Sequence, residues 1–268
     1  MPAVTINDKE FGQFQKLIYQ LAGIHLSPAK KALVGGRLAK RLIQHRLDSY
    51  GDYFKLLTAG HHSGELQVAV DLLTTNETYF FREPKHFDFL RTRILVGHKP
   101  GSSFRAWSAA CSSGEEPYSI AMVLADHLGD SPWEVVASDI STRVLEKARS
   151  GHYPMDRTEG ISREHLYRYC LKGVGSQENT LLVEEKLRDR VSFMQVNLNQ
   201  PLPQLGVFDV IFLRNVMIYF NQETKRQIVQ RMLPLLKQEG HLLIGHSESL
   251  NGVVDTLHPL APSIYRKP

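Results

Sequence analysis

Ala106-Trp107-Ser108-Ala109-Ala110-Cys111-Ser112-Ser113-Gly114-Glu115-Glu116-Pro117-Tyr118 decides the fold. Phe104 to Ala110 is a short, mostly apolar run, the pattern of a strand buried on both faces. Cys111 to Gly114 are small, and Gly114 can take a positive φ without penalty. Glu115, Glu116 and Pro117 suit the exposed amides and positive dipole of a helix start. Ile120, Met122, Val123, Leu124 and Leu128 give that helix its apolar side. Strand, tight turn and helix together place backbone where a ligand can approach it.

Trp133 to Ile140 is a second strand, and its carboxylate Asp139 lies 25 residues past Gly114. That is near the spacing of the acid that holds ribose hydroxyls in a Rossmann-type unit. The turn has one glycine where a dinucleotide fingerprint needs three, and Glu115 and Glu116 would repel a pyrophosphate. An adenosine ligand with a positive centre and no phosphate fits better, and S-adenosylmethionine is such a ligand. On these two segments alone, a purely structural β-α-β unit stays open.

The 268 residues suggest one large domain or two smaller ones, with 42% hydrophobic and 22% charged residues, as in soluble globular chains. No apolar run approaches the ~20 residues of a membrane span, and Met1 opens no signal-peptide pattern. Cys111 and Cys170 form no metal or redox spacing, and the twelve histidines form no spaced ligand set, so no metal is expected. A reduced, cytoplasmic setting follows from the cysteines. The net charge of +4 is unevenly placed: the first 60 residues hold nine Lys or Arg against four acids. That segment calls for an acidic partner, with nucleic acid and an acidic protein helix both admissible.

Phe11, Phe14, Leu17, Ile18 and Leu21 have helical spacing. Ser27-Pro28 is expected to cap and start a second helix, whose Lys30, Lys31, Arg37, Lys40, Arg41 and Arg46 fall mostly off its apolar stripe. Tyr50–Leu57 and Glu65–Leu73 complete a helical unit. In Thr74 to Pro84, Asn76, Thr78 and Arg82 accompany three successive aromatics, either as interdomain packing or as a ligand site whose arginine orients a carboxylate. Ser141-Thr142 is read as the cap of the helix after Asp139. Residues 170–193 read as an antiparallel insertion, Val191–Asn197 as the next strand, and Lys237–Gly240 as a turn before a strand at 241–245. Phe208 to Leu213 is a buried strand running into Arg214, Asn215 and Tyr219, at the sheet end where α/β ligands bind.

Five segments in this order carry a resemblance: Thr75-Asn76-x-Thr78-x-x-Phe81-Arg82-Glu83, Trp107 to Ser119, Ser138-Asp139-Ile140, Val196-Asn197-Leu198, and Arg214-Asn215-Val216-Met217-Ile218-Tyr219-Phe220. Over nearly its whole length the chain resembles the bacterial chemotaxis receptor methyltransferases, the CheR family. The resemblance implies an α/β fold: a Rossmann-like class I methyltransferase domain at 101–268 with a small antiparallel β insertion near 170–193. An all-helical receptor-recognition domain would occupy 1–75, and 76–100 would hold a linker and connecting helix. The implied reaction is S-adenosylmethionine-dependent methylation of chemoreceptor glutamates, giving γ-glutamyl methyl esters and S-adenosylhomocysteine. Asn76, Thr78, Arg82, Ala110, Glu116, Asp139, Asn197, Leu198, Arg214 and Asn215 would contact the cofactor, and Arg82 and Tyr219 would border methyl transfer. Lys30, Arg37, Lys40 and Arg41 would meet the receptor's cytoplasmic helical bundle. Gly173 and Gly175 would lie where some members hold the receptor's C-terminal peptide. The enzyme would be cytoplasmic, recruited to receptor arrays, without nucleic acid, metal or membrane insertion. The rivals are a nucleic-acid methyltransferase, which Asn215-Val216-Met217 disfavours because it lacks an Asn-Pro-Pro-Tyr arrangement, and a non-enzymatic cofactor-binding scaffold.

Overall fold

The structure is a computed structural model, which describes residues 4–60, 63–99 and 101–268. The chain begins with four helices, α1 (Asp8–Ala22), α2 (Lys31–His45), α3 (Tyr50–Thr58) and α4 (Ser63–Leu73). They close on their own core, with Phe14, Leu38 and Tyr53 wholly buried. Asn7 caps α1 in a reciprocal box with Glu10, satisfying two amides that the first turn leaves free. The second helix departs from its expected start. Ser27 makes no capping bond; Pro28–Lys30 is a 3-10 turn, and the α-helix opens at Lys31. Gly35 and Gly36 lie within it unbroken, and Gly35 packs on Ile6.

After α5 (Pro84–Phe89) the chain lays down its main sheet. In chain order the elements are β1 (Phe104–Ser108), α6 (Glu115–Leu128), β2 (Trp133–Asp139), α7 (Thr142–Ser150), β3 (His152–Pro154), α8 (Arg163–Tyr169), β4 (Cys170–Lys172), β5 (Thr180–Val183), α9 (Glu185–Arg188), β6 (Val191–Gln195), β7 (Phe208–Leu213), α10 (Gln222–Met232), β8 (Leu236–Ile244), β9 (His258–Ala261) and β10 (Ile264–Arg266). The main sheet runs β6-β2-β1-β7-β8-β10-β9. Its first five strands are parallel, and β10 and β9 are antiparallel. The central strands are apolar on both faces because each face is covered: one core holds Tyr118, Ile120 and Leu124 of α6, the other Ile228, Val229 and Met232 of α10. Chain order reverses between β1 and β7, which opens a crevice at their carboxyl ends.

The insertion is a separate sheet of order β3-β5-β4. It therefore begins at His152, earlier than the expected 170, while Val191–Gln195 joins the main sheet beside β2. His152–Pro154 is too short to show a strand period, which is why it reads as irregular in sequence. The expected turn at Lys237–Gly240 is also absorbed: β8 runs from Leu236, with a register shift and a left-handed Glu239.

Candidate active site

The cleft is a cavity of 460 Å³ at the carboxyl ends of β1, β2 and β7, closed on its other side by the helical bundle. Asn76, Thr78, Arg82, Ala110, Glu116, Asp139, Asn197, Leu198, Arg214, Asn215 and Tyr219 all line it. The glycine turn sets its floor. Gly114 has φ 98°, and a Cβ there would stand 2.7 Å from the Tyr153 hydroxyl and 2.9 Å from Ala148 Cβ. Ser112 also takes a positive φ, 49°. Its amide donates to Asp139 Oδ2 at 2.9 Å and its hydroxyl to the Asn76 carbonyl at 2.9 Å. The other Asp139 oxygen accepts the Ser141 amide at 2.9 Å. Burial pushes the Asp139 pKa up, opposed by these amides. No cation pairs with it among the described residues, so its remaining lone pairs suit hydroxyl donors such as those of a ribose.

Arg214 forms the opposite wall, its side chain 1% exposed. It donates to Glu116 at 2.9 Å, to Glu83 at 3.1 Å and to the Arg82 carbonyl, while its Nε has no partner. Ser108 donates to the other oxygen of Glu116 at 2.7 Å. Burial raises the Glu116 pKa, with Arg214 opposing. For Glu83, burial is outweighed by the Asn215 amide and Arg214, and its pKa falls. Glu115, fully buried, turns away to Ser113 and Arg157.

Arg82 is partly buried and donates to the Glu77 carbonyl at 2.8 Å, with its guanidinium 5.7 Å from the Tyr79 ring centre. Tyr219 ends the 3-10 turn Met217–Tyr219, and its carbonyl accepts the His25 amide at 2.8 Å. Asn197 lines the cleft but spends its amide group on the Leu21 carbonyl, 2.6 Å away, and its oxygen on the Asn199 amide at 3.0 Å. Asn76 Nδ2 donates to the Thr74 hydroxyl at 3.3 Å.

The basic face of α2 divides in the structure. Arg37 lines the cleft and donates to the carbonyls of Leu73 and Thr74 and to the Thr75 hydroxyl. Arg41 is committed to Glu65. Lys30 and Lys40 remain exposed, Lys30 also touching the cleft. Gly173 and Gly175 lie in the β-subdomain outside the cleft; a Cβ on Gly173 would collide with the Gln177 carbonyl, which is reason enough for that glycine.

Two supporting carboxylates lie outside the expected site residues, although Glu83 ends the first motif segment. Glu83 fastens Arg214, Asn215 and the His246 amide. Glu248 accepts the amides of Gly245 at 2.6 Å, Asn215 at 3.0 Å and Ile218 at 3.2 Å, holding a left-handed Asn215 (φ 56°). Burial raises its pKa, with the amides opposing. Its position just past the carboxyl end of β8 is the one signal that marked it in sequence.

The residues fit S-adenosylmethionine. Asp139 offers a buried acceptor without a cation, and the unpartnered Arg214 Nε offers a buried donor. Comparison with known proteins agrees. Residues 76–264 match the CheR methyltransferase SAM-binding domain, and residues 9–74 match the CheR methyltransferase all-alpha domain. The chain is 45% identical to a chemotaxis protein methyltransferase of Escherichia coli K12, over 92% of this chain and 87% of that one. It is 43% identical to one of Salmonella typhimurium LT2, over 98% and 91%. It is 36% identical to one of Borreliella burgdorferi, over 98% and 96%. With its cofactor-binding cleft and its helical domain matched end to end, the chain belongs to the CheR family of S-adenosylmethionine-dependent methyltransferases.

Proposed function

We propose that this enzyme methylates glutamate side chains in the cytoplasmic helical bundle of chemoreceptors, forming γ-glutamyl methyl esters for adaptation. The observation that carries the reading is that Arg82 and Tyr219 share one cleft with Asp139 and Arg214. A cofactor-holding floor and an arginine able to orient an incoming carboxylate therefore meet in a single space. The names of the relatives support the chemotactic setting. No helix among the described residues is long and apolar enough to cross a membrane, so the proposed place at receptor arrays depends on docking.

Bound S-adenosylmethionine supplies an electrophilic methyl carbon on a sulfonium sulfur. Asp139 would hold the ribose end by accepting from its hydroxyls, and the unpartnered Arg214 Nε would donate to a cofactor acceptor. A glutamate side chain is ionised near neutral pH, so its carboxylate oxygen would form the C–O bond without a general base, while the methyl–sulfur bond breaks and its electron pair leaves on the sulfur of S-adenosylhomocysteine. Arg82 orients that carboxylate through its planar fork of donors. Tyr219 packs beside the reacting groups and moves no proton. The cleft walls would keep water from the reacting groups, and acceleration would come from holding carboxylate and cofactor together in one space.

We assign Lys30 and Lys40, with exposed Ile43 one turn beyond Lys40, to receptor contact. The edge strand β4 with its exposed Leu171, and exposed Val174 just beyond it, would take a receptor C-terminal peptide. The test uses methyl-labelled S-adenosylmethionine and membranes bearing chemoreceptors. Label on receptor that mild base releases as methanol is the expected result. Cofactor binding by calorimetry without base-labile receptor label would sink the substrate assignment.

A further inference from the structure

Beside Arg214, three potential ligand atoms from Glu83, His86 and His246 all lie within 4.8 Å of one another. Read from spacing, the histidines offer no ligand set, because His246 is 163 residues from Glu83. The fold brings them together. The His86 ring is 1% exposed, Glu83 is 13% exposed, and His246 is open to solvent.

The neighbouring oxygens allow the His86 tautomer to be assigned. The Ser263 hydroxyl donates its single proton to the Pro262 carbonyl at 2.6 Å. With that proton directed at the carbonyl, the oxygen accepts from His86 Nε2, 2.9 Å away, and on this basis the ring proton is assigned to Nε2. Nδ1 of the neutral ring is then a bare lone pair. It has no hydrogen-bond partner and faces Glu83 Oε2 at 3.4 Å. Two acceptors thus face each other in a buried place, and Nδ1 goes without a partner unless a cation lies between them.

We propose that Glu83, His86 and His246 form a divalent transition-metal site of two imidazoles and one carboxylate, selective for Zn²⁺ or Co²⁺ over Mg²⁺ or Ca²⁺. Imidazole ligands favour the former pair, and oxygen-only sets the latter. The 3.4 Å separation of Nδ1 and Oε2 matches the edge of a tetrahedron, which is about 3.3 Å for metal bonds of about 2.0–2.1 Å. The His246 ring centre lies 4.8 Å from that of His86, and its exposure lets it swing in as third ligand and provides the entry path. Water takes the fourth position. The Nε2–H bond to Ser263 would hold the ring of a ligating His86 in place from its other nitrogen. Arg214 limits the affinity, because its Nη2 lies 3.1 Å from the same Glu83 oxygen. Metal and guanidinium compete for it, so occupancy loosens Arg214 and lowers cofactor affinity. This last consequence rests on the proposed function of the cleft; the binding itself does not.

The experiment titrates Co²⁺ into the untagged full chain and follows visible absorption, then displaces the ion with Zn²⁺ in a calorimeter. One equivalent with the intense bands of low-coordinate Co²⁺ is expected. H246A, a change at an exposed ring whose backbone amide is retained, should lose metal affinity by about tenfold or more. The metal-free variant should keep its melting temperature and its calorimetric affinity for S-adenosylhomocysteine. Absence of one-equivalent binding tighter than about 100 µM overturns the site. So does equal affinity in H246A, which would assign the ion to other histidines. Cofactor binding measured in chelator on the same sample separates failure of the metal site from failure of the cleft reading.

Discussion

Gly114 combines a left-handed backbone with a pocket that has no room for a methyl group. Ala at such a position strains the backbone by about 1–2 kcal/mol and overpacks Tyr153 and Ala148 by a similar amount. Gly114→Ala should therefore cost roughly 2–4 kcal/mol of stability, measured by denaturant unfolding, and should weaken cofactor binding because Ser112 and Asp139 move with the turn. Arg82 and Asp139 are expected to separate kinetically. Arg82→Ala should lower kcat about a hundredfold or more at saturating cofactor, since it mispositions the attacking carboxylate. Asp139→Ala should instead weaken cofactor binding about ten- to a hundredfold, the loss of one or two charge-assisted hydrogen bonds. Equal kcat for Arg82→Ala and the parent under saturation would remove its assigned role. At this scale the sequence was informative where chemistry and chain position coincide. Asp139, Arg214 and Asn215 could be placed because each lies at or just past the carboxyl end of a strand. The duties of Arg37 and Asn197 could not, because a helix face or a polar dipeptide does not reveal which acceptor lies opposite.

Helix α7 shows why caps read from neighbours can mislead. Ser141 precedes it, yet its hydroxyl makes no hydrogen bond among the described residues. The cap comes from Asp71 at the far end of α4, which accepts the Thr142 amide at 3.0 Å, the Thr142 hydroxyl at 2.9 Å and the Arg143 amide at 3.3 Å. A carboxylate there satisfies free amides and complements the helix dipole. Asp71→Ala should cost about 1–2 kcal/mol, more than Ser141→Ala, in paired unfolding curves. The contact of α2 with α4 has a pH signature. Glu65 accepts from Arg41 Nε at 2.8 Å and from the Tyr53 hydroxyl at 2.6 Å. Burial alone would raise its pKa, but the bonds from Arg41, Tyr53 and His45 outweigh burial and lower it from 4.5 to about 2. A depressed folded pKa stabilises above the unfolded value and is lost as pH falls toward the folded one. Glu65→Gln should thus lower Tm by a few degrees near pH 7. That gap should close between pH 4.5 and about 2; a gap constant down to pH 2.5 would refute the ionic account.

At the scale of the whole molecule, the helical domain serves as one wall of the cleft, besides the docking role proposed for it. The Leu21 carbonyl receives the Asn197 amide, His25 donates to the Tyr219 carbonyl, and Ile24 bridges Phe220. Segments far apart in sequence build that wall, so composition could show a basic N-terminal unit but not its seat on the sheet. The same seating makes the α2 charges unequal, and this sets the last prediction. Lys40 is exposed and free to meet an acidic helix, whereas Arg41 is held by Glu65. Lys40→Glu should raise the receptor KM several-fold and leave cofactor Kd, kcat and Tm unchanged. The KM of the parent should also rise with salt, since exposed charges more than about 8–10 Å apart are screened at physiological ionic strength. Arg41→Glu should behave differently, lowering Tm and eroding every kinetic constant, because it sets two carboxylates against each other in the bundle core. Measuring both variants under the same receptor titration distinguishes a docking charge from a structural one. An unchanged KM for Lys40→Glu would move the docking surface off this face of α2.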